Sequence, residues 1–422
     1  MNEPAGAGAE VAGEGEPGNG RYDASLRAYF HQSWLRVKTG QTGVLPVIGG
    51  LVILVIFFQF KNSLFLSNQN LSNLLTQASY IIVLGFAEIW VLLLGEIDLS
   101  VGYNAGIAGA LMAYMSSSPY NLSWWVAVLI GLAASSVIGM LIGIIVIRLR
   151  LPSFVVSLAF LLGLTGVLLK ITYLNGDAGS ITISNSTLLD LVNGNLSPIA
   201  GVVLVVVSVV AVSVVTVLSD RRRRQSGSEV VPIAVSIAKV AGLAASGAIL
   251  LYVCNSNRGV LAPVEGIPYA VPIFMGILVL WSFVLARTRF GRYVYAIGGN
   301  AEAARRAGVS LGRNKLWAFT LAGFTAGAAG ILYTSRLGGA TANIDNNLVL
   351  FAVASAVIGG VSLFGGRGKM VHALLGGLVI AVIYNGMGLI GLDAATQDIV
   401  IGFVLLAAVS VEALSRRQEA RG

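Results

Sequence analysis

The sequence predicts an all-α polytopic membrane protein, and three observations predict it. Charged residues make up 11% of the chain, under half of the roughly 25% usual in soluble domains. The mean hydropathy is +0.83. Apolar runs about 20 residues long, enough for a helix to cross a bilayer, recur from residue 43 to residue 411. The runs are continuous rather than alternating, which argues against an outer-membrane barrel. The composition also excludes a soluble enzyme and a disordered regulator. Glycine, at 52 of 422 residues, is about 12% against a usual 7%, which suits close helix packing in lipid.

In chain order, residues 1–42 read as a cytoplasmic N-terminal tail, partly disordered. They are polar and rich in Gly, Ala and Glu as far as Asn19, turn weakly basic after it, and lack a signal-peptide pattern. The transmembrane domain is expected over 43–415, followed by a cytoplasmic tail, 416–422. Twelve candidate spans lie near 43–60, 77–95, 99–116, 124–147, 153–173, 198–218, 231–252, 269–286, 316–334, 348–363, 371–390 and 394–411. The third and tenth are short enough to be broken or partly inserted. Gly102 and Gly106, Gly139 and Gly143, and Gly323 and Gly327 are each four residues apart, on one helix face, and read as packing surfaces. Trp124 and Trp125 stand where a span meets an outer loop, as interfacial aromatics do.

The net charge is +8. In a soluble chain this would raise nucleic acid as a partner, but its distribution favours membrane topology. With both termini cytoplasmic, alternate loops place Arg148, Arg150, Arg221 to Arg224, the 287–315 loop, Arg367, Lys369 and the C-terminal arginines inside. About 22 of the 27 basic residues then follow the positive-inside rule. Lys61, Lys170, Arg258 and Arg336 fall at outer ends, and Lys239 lies within a span. Arg221 to Arg224 read first as a topology anchor and second as a contact for lipid phosphates.

The longest internal polar stretch is the 287–315 loop, RTRFGRYVYAIGGNAEAARRAGVSLGRNK. Gly298, Gly299 and Asn300 signal a helix start with Asn300 as N-cap. Glu302 falls in the first turn, where the helix dipole favours it. Ala303, Ala304 and Ala307 give the helix a small, smooth face, and Gly308 ends it. Such a loop is either a solvated basic segment resting on anionic lipid or a docking helix for a cytoplasmic partner.

The segment Glu302-Ala303-Ala304 followed by Gly308 resembles the EAA-x-x-x-G coupling motif of ABC importer permeases. The preceding TRFGRYVYAIGGN, Thr288 to Asn300, resembles the form found in monosaccharide permeases of the ribose/xylose type. Two further segments are similar to the same family: GEIDLSVG, Gly95 to Gly102, and IGGVSLFGGRG, Ile358 to Gly368. The three motifs stand in family order across roughly residues 70–410. The resemblance implies about ten spans, so the helical hairpin 198–252 is an extra pair. That insertion, with Asn257-Arg258-Gly259-Val260, Ala262-Pro263-Val264 and Glu96, resembles the xylose-type branch. The chain departs from the family where Val349-Leu350-Phe351 replaces Glu-Leu-Asp and where Val361 replaces Thr.

Glu96 and Asp98 lie between apolar spans, and an ionisable group near membrane depth is by default a functional hypothesis. Asp98 and Ser100 read as caps for the following helix. Glu96, Asp98, Ser100 and Gly102 are therefore a helix cap or part of a sugar path, and Glu96 with Asp98 would be the proton site of an ion-coupled transporter. A neutral, hydroxyl-rich sugar needs neutral hydrogen-bonding groups, for which Asn104 and Asn385 are candidates. The 358–369 segment is not a phosphate loop. Leu363 stands where the first glycine of G-x-x-x-x-G-K-[ST] belongs, and Met370 stands where Ser or Thr belongs. His31 and His372 are isolated, and no metal site, cofactor or nucleophile–base set is expected. Asp398 is deep enough in the last span to need a partner.

The resemblance implies the permease subunit of an ATP-driven importer for a monosaccharide, xylose or a related aldose. It sits in a bacterial inner membrane and is not itself an enzyme. The expected partners are an ABC ATPase subunit at the 287–315 loop, an extracytoplasmic sugar-binding protein, a second permease copy and membrane lipid, with no nucleic acid. The alternatives are an ABC permease for a nucleoside or branched-chain amino acid, and an ion-coupled secondary sugar transporter using Glu96 and Asp98.

Overall fold

A computed structural model describes residues 45–174, 179–225, 233–259, 263–345 and 347–419. The expected 1–42 tail, with His31, lies outside the described residues. The chain forms helices α1 (Leu45–Lys61), α2 (Asn68–Leu92), α3 (Val101–Ser116), α4 (Trp124–Leu149), α5 (Ser153–Tyr173), α6 (Ser186–Asn193), α7 (Pro198–Gln225) and α8 (Ile233–Asn255). Then follow α9 (Ala270–Arg287), α10 (Arg289–Gly299), α11 (Ala301–Arg306), α12 (Leu311–Leu337), α13 (Asn347–Ile358), α14 (Met370–Leu389) and α15 (Ala394–Glu419). Two short strands, β1 (Ser180–Thr182) and β2 (Gly339–Thr341), pair antiparallel with Ile181 opposite Ala340.

Eight described helices are long and apolar enough to span a bilayer: α2, α4, α5, α7, α8, α9, α12 and α14. The shorter α1, α13 and α15 are apolar too, and with α3 they account for each of the twelve expected segments. The third and tenth are the short ones: α3 has 16 residues and α13 has 12. At 1.5 Å per residue they reach about 24 and 18 Å, less than the roughly 30 Å apolar core of a bilayer.

Two boundaries differ from expectation. Helix α2 begins at Asn68, not near residue 77, with Ser67 Oγ accepting from Asn70 N at 3.3 Å. Its first turns are polar, yet Asn70 and Gln77 are buried. Asn70 Nδ2 donates to Asn385 Oδ1 at 2.9 Å and Asn385 Nδ2 returns the bond to Asn70 Oδ1 at 3.0 Å. Paired amides make polar sequence compatible with the interior, so hydropathy alone places the start too late. Helix α15 continues to Glu419, so the expected 415/416 boundary falls inside a helix.

Burial separates a centre from a rim. In the most apolar window of α2, 89% of residues are buried, against 6% in α7 and in α8. The extra hairpin therefore lies outside the packed centre, with Ser236 Oγ donating to Asp220 Oδ2 at 2.7 Å across it. Helices α4 and α12 cross through their glycines as the spacing predicted. A Cβ on Gly139 would lie 2.3 Å from Phe319 O and 3.1 Å from Gly323 Cα.

The connections sort into two ends. At one end, Asn193 Nδ2 donates to Ser335 O at 2.9 Å, Ser117 Oγ to Thr182 O at 3.1 Å and Asn62 Nδ2 to Leu389 O at 2.8 Å. At the opposite end meet the 93–100 connection, the start of α5, α10–α11 and residues 359–369. The last span is also anchored: Asn347 Nδ2 donates to Asp398 Oδ1 at 2.7 Å, supplying the partner that Asp398 was expected to need.

Candidate functional site

The site grows from α10 and α11. Thr288 caps α10, its Oγ1 accepting from Gly291 N at 3.2 Å. One face of α10 buries Val294 and Ile297, and Phe290 lies against Trp90 of α2 with ring centroids 5.8 Å apart. This amphipathic helix rests on the helical bundle and presents α11 at its end.

Asn300 caps α11 as expected, Oδ1 accepting from Ala303 N at 2.9 Å. Glu302 in the first turn accepts from Arg305 Nε and Nη2, both at 2.9 Å, and from Arg306 Nε at 3.1 Å. These guanidinium bonds, Arg305 first, hold the exposed Glu302 carboxyl below the usual carboxylate range. At the other end, Val309 N donates to Ala304 O and Gly308 N to Arg305 O, both at 3.0 Å. That is a Schellman closure with Gly308 at φ +81°. The three alanines do not share one face: Ala304 is buried, whereas Ala303 and Ala307 are exposed beside Glu302.

Two distant segments meet the start of this loop. A Cβ on Gly298 would lie 1.8 Å from Leu93 O and 2.5 Å from Gly366 N, and Gly366 N donates to that same Leu93 O at 2.9 Å. A Cβ on Gly365 would lie 2.8 Å from Gly95 N and 3.0 Å from Gly298 O. Three backbones thus touch where only glycine leaves room, and each belongs to one of the three motifs. Tyr295 Oη donates to Gly368 O at 2.6 Å, and Lys315 Nζ forms an ion pair with Glu96 Oε1. These contacts join α10–α11 to both other loops.

Behind the junction, Asp98 and Ser100 are buried. Asp98 Oδ1 accepts from Ser100 N at 2.9 Å and from the Ser100 hydroxyl. Asp98 therefore caps the turn entering α3, while Ser100 makes no side-chain cap bond of its own. Ile97 is held to the start of α5, its N–H donating to Ser153 Oγ at 3.1 Å. Gly102 lets α3 approach α13, since a Cβ there would lie 2.9 Å from Val349 N. Asn104 stands one turn along α3, its N–H donating to Ser100 O at 2.8 Å, whereas Asn385 lies apart from this cluster. Asn104 Nδ2 donates to Ser135 O at 3.2 Å, and Asn385 is held by Asn70.

The sequence reading missed two groups. Lys315 carries no signal for a partner 219 residues away. Glu88 did carry one, as a carboxylate inside an otherwise apolar run; it is fully buried, and its Oε1 accepts from Asp98 N at 3.3 Å. Among the described residues no group of three His, Cys, Asp or Glu side chains is arranged to hold a metal ion. What the site offers is mechanical: a solvent-facing helix on a rigid, glycine-packed seam.

Residues 70–409 match the family described as "Branched-chain amino acid transport system / permease component". The chain is 32% identical to the xylose transport system permease protein XylH of Haemophilus influenzae, over 89% of this chain and 96% of the relative. It is 33% identical to XylH of Escherichia coli K12, over 90% and 94%. It is 29% identical to the ribose import permease protein RbsC of Escherichia coli K12, over 92% and 97%. No solved structure matches the chain.

Proposed function

The chain belongs to the branched-chain amino acid transport system / permease component family, and from that premise we propose that it is the membrane permease of an ATP-driven importer for a xylose- or ribose-type aldose. The observation that carries the mechanism is the contact of Gly298 and Gly366 with Leu93 O, which locks the exposed α11 to the two loops at the broken crossings α3 and α13. A separate ABC ATPase docks on α11 in the 287–315 loop, with Glu302, Ala303 and Gly308 at its contact. Nucleotide binding moves the ATPase, α11 follows, and the seam passes the displacement to α3 and α13. Work enters only if these contacts differ between outward- and inward-facing states.

In this reading both termini and the junction are cytoplasmic, in a bacterial inner membrane. A sugar-binding protein delivers substrate at the opposite end, to a pair of identical permeases. Asn104 and Asn385 line the path only in a state where their present bonds to Ser135 O and Asn70 have parted. The ion-coupled alternative is weakened because Glu96 is already neutralised by Lys315. The names of the relatives favour an aldose over an amino acid as cargo.

The test is co-purification from mild detergent of the permease with its co-expressed ABC ATPase. Wild type is expected to capture the ATPase. Glu302→Arg and Gly308→Trp are expected to lose it while inserting normally. Capture by both variants overturns the docking assignment; capture by none, wild type included, returns the mechanism to an ion-driven transporter.

A further inference from the structure

Glu88 has no role in the mechanism above, yet it is a carboxyl group with no exposure to solvent. Its Oε1 accepts the Asp98 N–H at 3.3 Å, while Glu88 Oε2 and Asp98 Oδ2 have no hydrogen-bond partner. Among the described residues the ion pairs are Glu302 with Arg305 and Arg306, and Glu96 with Lys315, so neither buried carboxyl has a cation. Two carboxylates brought together away from water and cations cannot both be ionised.

The surroundings decide which one carries the proton. Asp98 stands ahead of α3, at the positive end of a helix, and receives two bonds from Ser100. Glu88 sits four residues before the end of α2, toward the negative end of that helix, and it receives one long N–H bond. The charge belongs on Asp98 and the proton on Glu88. A protonated carboxyl is a donor, and Glu88 Oε2 and Asp98 Oδ2 are the two buried oxygens of this pair that have no partner.

We propose that Glu88 is a positioning residue that keeps a bound proton and donates it in a hydrogen bond to Asp98, tying α2 to the 93–100 loop beneath the junction. The proton stays in place and is not carried across. Asp98 is the acidic residue in contact with Glu88. Lys315 is taken up by Glu96, and His372 of α14 faces Gly360 with Lys369 beside it. From α9, Trp281 packs on Trp90 and, edge-on, on Phe324 of α12. From α13, the Ser355 hydroxyl lies against Ile81 O at 3.5 Å.

Infrared spectroscopy of the purified full-length permease in lipid tests this without any ATPase, so it stands apart from the docking reading. Wild type at neutral pH is expected to show the carbonyl stretch of an un-ionised carboxylic acid. The band should shift in heavy water, vanish in Glu88→Gln, and persist at a new frequency in Asp98→Asn. Labelling wild type with carbon-13 glutamate should move the same band, which keeps the test available if a variant misfolds. Uptake is expected to survive in Glu88→Gln, which retains a donor and an acceptor, and to fall about ten-fold in Glu88→Leu, which retains neither. The proposal is overturned if the band is absent, if it survives Glu88→Gln but not Asp98→Asn, or if added sodium ions abolish it by replacing the proton.

Discussion

Lys315, at the start of α12, forms an ion pair with Glu96, in the connection between α2 and α3, across 219 residues of chain. The side chains are 26% and 15% exposed, so the pair is shielded more than a surface bridge and less than a core one. It fastens the far end of the 287–315 loop to the same connection that Gly298 touches at the near end. The loop is thereby gripped at both ends, with α11 projecting between the grips.

Removing either charge should loosen one grip. Glu96→Ala or Lys315→Ala is expected to cost about 1.5–3 kcal/mol, the range for a hydrogen bond to a charged group. Uptake should fall without loss of insertion. The exchanged pair, Glu96→Lys with Lys315→Glu, should recover part of both. A double-mutant cycle on thermal unfolding in detergent checks the coupling, and additive single effects would show that the two residues act separately.

Neighbouring glycines provide a sharper comparison. A Cβ on Gly298 would sit 1.8 Å from Leu93 O, whereas one on Gly299 meets nothing within 4 Å. Gly298→Ala should force the seam apart at a cost of about 1–3 kcal/mol, typical of overpacking, and abolish uptake. Gly299→Ala should transport nearly as wild type. Equal uptake by the two variants would mean that the seam does not transmit motion.

The acid response of α11 follows from Glu302. Its carboxyl lies below the usual range because Arg305 and then Arg306 bond to it. A lowered value means that the pairing is complete above the ordinary carboxylate range and is lost as pH falls through the lower, folded one. ATPase capture should therefore be flat between about pH 5.5 and 8 and weaken only in stronger acid. A drop already near neutrality would assign docking to a different titrating group.

Much of this architecture was legible in one dimension because lipid imposes a local rule. A helix must satisfy its own backbone bonds and show apolar side chains outward, so the segments around α4, α5, α7, α8 and α9 stood out by hydropathy. The cap at Asn300 and the stop at Gly308 were legible too, since each depends on residues three to eight positions apart. Hydropathy failed at the start of α2, where Asn70 is buried by pairing with Asn385. Residue-type reasoning also put Ala304 on the exposed face when it packs inward.

The sequence by itself determined the twelve apolar segments, where α11 begins and ends, and that three glycine-bearing motifs exist. It did not contain their meeting. Only the tertiary structure decided that Gly95, Gly298 and Gly365–Gly366 share one seam, that Lys315 answers Glu96, and that Glu88 stands against Asp98. Local propensity acts over a helical turn, whereas Lys315 and Glu96 stand 219 residues apart, and even Glu88 and Asp98, 10 apart, belong to different elements. Their geometry is set by how α2, α3, α12 and α13 pack, not by any rule that reads along the chain.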